Sequence, residues 1–113
     1  MSEKIAGEYL SNIEGYKILH KNYRCPRGEI DLICQDGKWL VFVEVRSRST
    51  GTLDMAAESI GYRKQNKLRQ LATYYLTQNK QNFSLCRFDA VLILLDAKKE
   101  TALEMKHLKN AFM

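Results

Sequence analysis

The chain has 113 residues, the size of one domain. Hydrophobic residues make up 45% of it, against one Pro and six Gly, which excludes a disordered or collagen-like polypeptide. Eighteen Lys and Arg against 13 Asp and Glu leave a net charge of +5, a first pointer to a polyanionic partner.

The first element is a helix over Lys4–Glu14, stopped by Gly15. Ile5, Ala6, Tyr9, Leu10 and Ile13 recur there at helical spacing. Tyr16–Tyr23 is a half-polar strand suited to a sheet edge, and Arg24-Cys25-Pro26-Arg27-Gly28 turns the chain. Two strands follow, Glu29–Gln35 and Trp39–Ser47, joined across Asp36-Gly37, a strong hairpin signal. A short helical piece around Asp54–Ser59 precedes a long helix over Tyr62–Asn79, with Leu68, Leu71, Ala72, Tyr75 and Leu76 on one stripe. Arg87–Leu95 is apolar on both faces, as a central strand covered on both sides would be. Its Ala90–Leu95 segment is the longest apolar run, far short of the ~18 residues that span a bilayer. Ala102–Leu108 alternates like an edge strand. The main elements run α-β-β-β-α-β-β and predict one domain over 1–113, an α/β three-layer sandwich around a central mixed sheet. Cys25, Cys34 and Cys86 are widely spaced with no C-x-x-C pair, and the start carries no apolar signal region. Both features lead to the expectation of a cytoplasmic protein without disulfides, structural zinc or membrane attachment.

Several charges sit awkwardly in this plan. Alternation places Glu29, Asp31 and Ile33 on one face of their strand, with Ile30, Leu32 and Cys34 on the other. In the next strand Leu40, Phe42, Glu44 and Arg46 share a face. A two-residue Asp36-Gly37 turn sets Asp31 opposite Phe42, so that Asp31 and Glu44 are diagonal neighbours ~7–8 Å apart. Like charges this close destabilise a sheet unless they are neutralised. A bound Mg²⁺ or Mn²⁺ would do so, since hard cations take one or two carboxylates plus water and phosphate. A solvated surface with Arg46 paired to Glu44 would do so as well.

Lys64 precedes Leu68 by four residues, Leu71 by seven and Tyr75 by eleven, so it extends the buried stripe and should point at a carboxylate or a phosphate. Gly61–Lys80 carries Arg63, Lys64, Lys67, Arg69 and Lys80 and no acidic residue, a local surplus equal to the net charge of the chain. The early part of that surplus opposes the helix dipole, which disfavours cations near an N-terminus.

The motifs AGEYL (6–10), GYKIL (15–19), NYRCPRGEIDLI (22–33), FVEVRSR (42–48), KQNKL (64–68), RFDAV (87–91) and NAF (110–112) together resemble the YraN family of small bacterial proteins. The resemblance implies a restriction-endonuclease-like fold of the PD-(D/E)xK superfamily, similar to archaeal Holliday-junction resolvases. It also implies a metal-dependent phosphodiesterase core. Asp31 matches the motif aspartate, Glu44 the second acidic position, and Glu8 the acidic residue of the first helix. The E-x-K lysine is Arg46 here. An arginine stays protonated, so it can stabilise charge on phosphate oxygens but cannot serve as a base. Lys64 is the candidate replacement for the missing amine.

These readings lead to an Mg²⁺- or Mn²⁺-dependent endonuclease acting on structured or branched DNA. Asp31 and Glu44 hold the metal, with Glu8, Arg46 and Lys64 completing the catalytic set. Arg24, Arg27, Arg48, Arg63 and Lys67 track the nucleic-acid backbone, and a homodimer follows by analogy with the resolvases. The alternatives are a catalytically inactive nucleic-acid-binding or adaptor module, and a protein-interaction domain whose basic helix meets an acidic partner. His20 and His107 lack partners at ligand spacing and read as structural or solvent-exposed. Asp89 reads either as a support to the site or as a partner of Arg87. Tyr74 and Tyr75 read as core or as a stacking ring.

Overall fold

The elements form in the order α1 (Ser2–Asn12), β1 (Lys17–Cys25), β2 (Gly28–Asp36), β3 (Trp39–Arg48), α2 (Leu53–Glu58), α3 (Tyr62–Asn79), β4 (Leu85–Asp96) and β5 (Thr101–Phe112). This is a computed structural model, and it describes residues 2–79, 85–96, 98 and 101–112. Lys80, counted in the basic surplus, lies outside them.

The strands lie side by side in chain order as one five-stranded sheet. Hairpin neighbours are antiparallel. β3 and β4 run parallel, because α2 and α3 carry the chain back across the sheet between them. Helices cover both faces. On one, Ala6 and Leu10 of α1 pack against Leu32, Cys34, Val41, Val43, Val91 and Ile93. On the other, Leu68, Leu71, Ala72 and Tyr75 of α3 pack against Ile30, Ile33, Leu40 and Phe42, while Ala56 of α2 meets Ala90 and Leu92. The layered mixed sheet is the architecture the apolar periodicities predict. None of the described helices is long and apolar enough to cross a membrane.

Two details differ from the sequence expectation. The β2–β3 turn consists of Gly37 and Lys38, not Asp36 and Gly37, because Asp36 pairs with Trp39 across the ladder. Arg87 of β4 donates to the Asp36 carboxylate at 2.9 Å and holds that residue in the strand. Alternation along β2 also breaks at Asp31, since Ile30 joins Ile33 on the α3 side instead of Leu32 on the α1 side. Across from this break, Asn22 of β1 takes a positive φ of 50°. Gly28, at φ 149°, closes the Pro26-Arg27 turn where α3 passes close by. A Cβ there would stand 3.5 Å from Lys67 Cε and 3.6 Å from Leu71 Cδ1.

Candidate functional site

β2 and β3 are hydrogen-bonded from the Asp36–Trp39 pair to the Leu32–Val43 pair. One step further a side chain takes over, as the Val45 amide donates to Asp31 Oδ2 at 2.8 Å. Moving the turn by one residue thus carries Asp31 from a position opposite Phe42 to one opposite Glu44. The two carboxylates are direct neighbours where the hairpin opens.

Glu44 faces α3, in line with Leu40 and Phe42, and is only 5% exposed. Lys64 Nζ approaches its Oε2 at 3.5 Å and Arg46 Nε its Oε1 at 3.7 Å. Lys64 therefore reaches the carboxylate toward which the helical stripe aims it. Both contacts are longer than a tight charge-assisted hydrogen bond, ~2.7–2.9 Å. Burial raises the Glu44 pKa, the charge and hydrogen bond of Asp31 raise it further, and Lys64 and Arg46 only partly oppose them. The result is about 7. Arg46 Nε is buried with no hydrogen-bond partner among the described residues. The corner therefore holds a carboxylate short of positive charge beside a guanidinium whose buried Nε–H is left without a hydrogen bond.

Two adjacent carboxylates suit a hard cation that keeps water and phosphate in its remaining positions, the habit of Mg²⁺. A site built wholly from protein ligands does not form, since no group of three or more His, Cys, Asp or Glu among the described residues is arranged for a metal ion. Glu8 is accordingly not gathered with Asp31 and Glu44. It is exposed on α1, whose buried side packs on the opposite face of the sheet.

The predicted backbone-tracking residues divide. Arg27, Arg63 and Lys67 line surface depressions along α3. Arg24 is exposed and ion-paired with Glu29 at 3.3 Å, next to the same turn. Arg48 folds onto its own loop, donating from Nε to the Thr50 carbonyl at 3.0 Å. Tyr75 is fully buried in the core, while Tyr74 is half-buried beside Arg27.

A second polar cluster sits on the α1 face. Asp89 Oδ2 accepts from Tyr16 Oη at 3.1 Å and lies 2.7 Å from His107 Nε2. Its Oδ1 accepts from Arg87 Nε and from the Asn110 amide, each at 3.0 Å. His107 Nδ1 is 3.3 Å from Glu14 Oε1, so both ring nitrogens face carboxylates. Burial alone would lower the His107 pKa, but the hydrogen bonds to Asp89 and Glu14 outweigh it and the net shift is upward. For Asp89 burial works upward, and the hydrogen bonds from His107, Arg87 and the Asn110 amide reverse it to about 2. Asn110 takes φ 52° to aim its amide there, which fits an Asn better than most residues. Of the two sequence readings of Asp89, a support to the site or a partner of Arg87, the structure shows the second. The links to Tyr16, Glu14 and His107 span too much chain for residue spacing to reveal.

A family profile described as "Uncharacterised protein family UPF0102" matches residues 2–93. A UPF0102 protein of Moorella thermoacetica is 45% identical over 98 residues, covering 87% of this chain and 81% of its own. One from Pelotomaculum thermopropionicum is 42% identical over 112 residues, covering 99% and 92%. One from Desulforamulus reducens is 44% identical over 111 residues, covering 96% and 89%.

Proposed function

The chain belongs to the UPF0102 family, the YraN family its motifs resemble, and from the geometry of its site we propose that it is a metal-dependent endonuclease acting on structured DNA. One observation carries the reading: Asp31 and Glu44 meet at a corner where, among the described residues, only Lys64 and Arg46 pair with the buried Glu44, and neither of them closely. A perturbed carboxylate such as Glu44, with a second carboxylate beside it and a basic surface nearby, is where hydrolytic sites are built. The resemblance to the PD-(D/E)xK nucleases points the same way.

Asp31 and Glu44 would hold Mg²⁺ or Mn²⁺, which when bound supplies a more acidic water and a polarised phosphate. Asp31 is held in place by the Val45 amide through Oδ2. Lys64 fixes Glu44 and presents its remaining N–H bonds to water or phosphate. Arg46, its side chain about a third exposed, offers its outer guanidinium N–H groups to a phosphate oxygen as charge builds there. In the reaction the oxygen of water bonds to phosphorus, the bond to one sugar oxygen breaks, and that oxygen leaves with a proton. Arg46 in the place of the motif lysine favours a second reading, a module that binds nucleic acid without cutting it.

The test is cleavage of labelled four-way-junction and flap DNA in Mn²⁺. Wild type should cut, and Asp31→Asn should bind without cutting. Equal cutting by wild type, Asp31→Asn and Glu44→Gln would remove the site assignment. Tight binding without cutting by wild type would favour the second reading. Equal affinity at 50 and 200 mM salt would remove both, because phosphate contacts release counterions.

A further inference from the structure

Along α3, Arg63, Lys67, Gln70 and Tyr74 recur at i, i+4, i+7 and i+11, a stripe flanking the buried one. The depressions along this stripe share lining residues from one to the next. The first lies in the 24–29 turn. It shares Arg27 with a second, lined by Gln70 and Tyr74. Gln70 also lines a third, with Tyr62, Arg63 and Lys67, and the last two residues belong to a fourth that ends at Lys64. Residues shared between neighbouring depressions thus trace a shallow basic trough from the β1–β2 turn to Lys64, which contacts Glu44. Its only carboxylate among the described residues, Glu29, is already paired with Arg24.

Two rings stand in this basic trough. Tyr62 is 77% exposed at the start of α3, and Tyr74 is half-buried at the far end. An exposed tyrosine flanked by Arg63 and Lys67 gains little from folding. It offers a flat apolar face in a place that phosphates would occupy. Duplex DNA keeps its base faces stacked inside, whereas a single strand presents them, and base–aromatic stacking with a cationic track is how unpaired strands are held. From Arg63 to Tyr74 the helix rises ~17 Å at ~1.5 Å per residue. At the ~3.4 Å rise of a stacked strand that length holds at most about five nucleotides, and fewer if the strand is extended.

We infer that the α3 trough is a binding track for an unpaired nucleic-acid strand, with Tyr62 as a stacking platform that feeds the strand toward Asp31 and Glu44. The inference rests on the nuclease reading for the direction of feed, but binding can be measured without cleavage. The experiment is fluorescence anisotropy of the Asp31→Asn protein in EDTA, using labelled dT oligomers of three to twelve nucleotides and a 12-base-pair duplex. Single strands should bind about tenfold or more tighter than the duplex, with affinity levelling off beyond about five nucleotides. Tyr62→Ala should weaken single-strand binding at least about fivefold and leave the duplex unchanged, while Tyr62→Phe should retain the wild-type value. Unchanged thermal melting of both variants would tie the effect to the ring. Equal affinity for duplex and single strand, with no effect of Tyr62→Ala, would overturn the track and leave the nuclease reading standing. Binding to polyglutamate but to no oligonucleotide would overturn both. Normal single-strand binding with no cutting by wild type would support the track while removing the nuclease.

Discussion

Asp89 and Glu44 are both carboxylates buried in the middle of the same sheet, on opposite faces, at 0% and 5% exposure. Asp89 receives hydrogen bonds from Tyr16, Arg87 and the Asn110 amide and lies against His107, so each oxygen has at least two partners. Glu44 has two cations at 3.5 and 3.7 Å and a second carboxylate beside it. The first pattern drives a pKa down and the second drives one up. A saturated buried network ties elements together and leaves no valence for a ligand, whereas an under-supplied one at the end of a groove has valence to spare. Asp89 joins β4 to β5, to the start of β1 and, through His107 and Glu14, to the end of α1. It is a fastening. Glu44 is the candidate site.

The largest expected difference is in stability. Asp89→Ala leaves Arg87 and His107 buried without their shared counterion, and should cost about 3–5 kcal/mol in urea unfolding, enough to compromise folding. Glu44→Gln should stay within about 1 kcal/mol of wild type or exceed it in metal-free buffer, while losing cleavage. Lys64 and Arg46 are about a third exposed, so they can hydrate once their partner is gone. A loss for Glu44→Gln as large as that for Asp89→Ala would end the distinction.

The next effect is in pH. His107 has a raised pKa, so its contribution is fully present below its unfolded value of ~6.5 and is lost as pH rises through the folded one. Asp89 has a lowered pKa, so its contribution is present above ~4 and is lost only as pH falls toward about 2. Glu44 is raised, so the folded state holds its proton longer than the unfolded chain does. Stability should therefore fall as pH climbs from the ordinary carboxylate range to about 7. Metal-free denaturation across pH 4–9 should show these two descending limbs in different windows. His107→Gln should flatten the limb above ~6.5, and Glu44→Gln the one below about 7. A single limb removed by either variant would mean that the two clusters are not separate.

How much of this was legible in the sequence follows from the range of each signal. The helical stripe that placed Lys64 against a carboxylate is local, and it held. Alternation puts Asp31 and Glu44 on one face, although along β2 it breaks at Asp31 itself. The turn shifted by one residue because Arg87, 51 residues away, holds Asp36 in its strand. That shift made the carboxylates direct neighbours. Glu8 came from the family resemblance, and its helix packs on the other face of the sheet from Glu44. The Asp89 cluster was missed as a unit because His107 and Glu14 lie 93 residues apart. Only the β4–β5 register brings His107 alongside Asp89. Asn110 carried a signal in retrospect, as an Asn inside a strand that bends to a positive φ.

The smallest effect tests the rule itself, that an under-supplied buried polar group marks a site. Tyr75 Oη is also buried and also lacks a hydrogen-bond partner among the described residues. It lies in a packed core, its ring edge-on to His20, Tyr23 and Phe42 with centroids 5.3, 5.1 and 5.9 Å away. It lines none of the trough's depressions, so missing partners have a different meaning here. For Tyr75 they are a plain cost of burying a hydroxyl, about 1–3 kcal/mol when nothing compensates. Tyr75→Phe keeps the ring contacts and removes that cost. It should unfold at equal or higher urea, by up to about 1 kcal/mol, with DNA binding and cleavage unchanged. A Tyr75→Phe protein that lost cleavage while gaining stability would show that this hydroxyl serves the site through α3. Missing partners would then have to be read with the helix that carries them, and not with the groove they face.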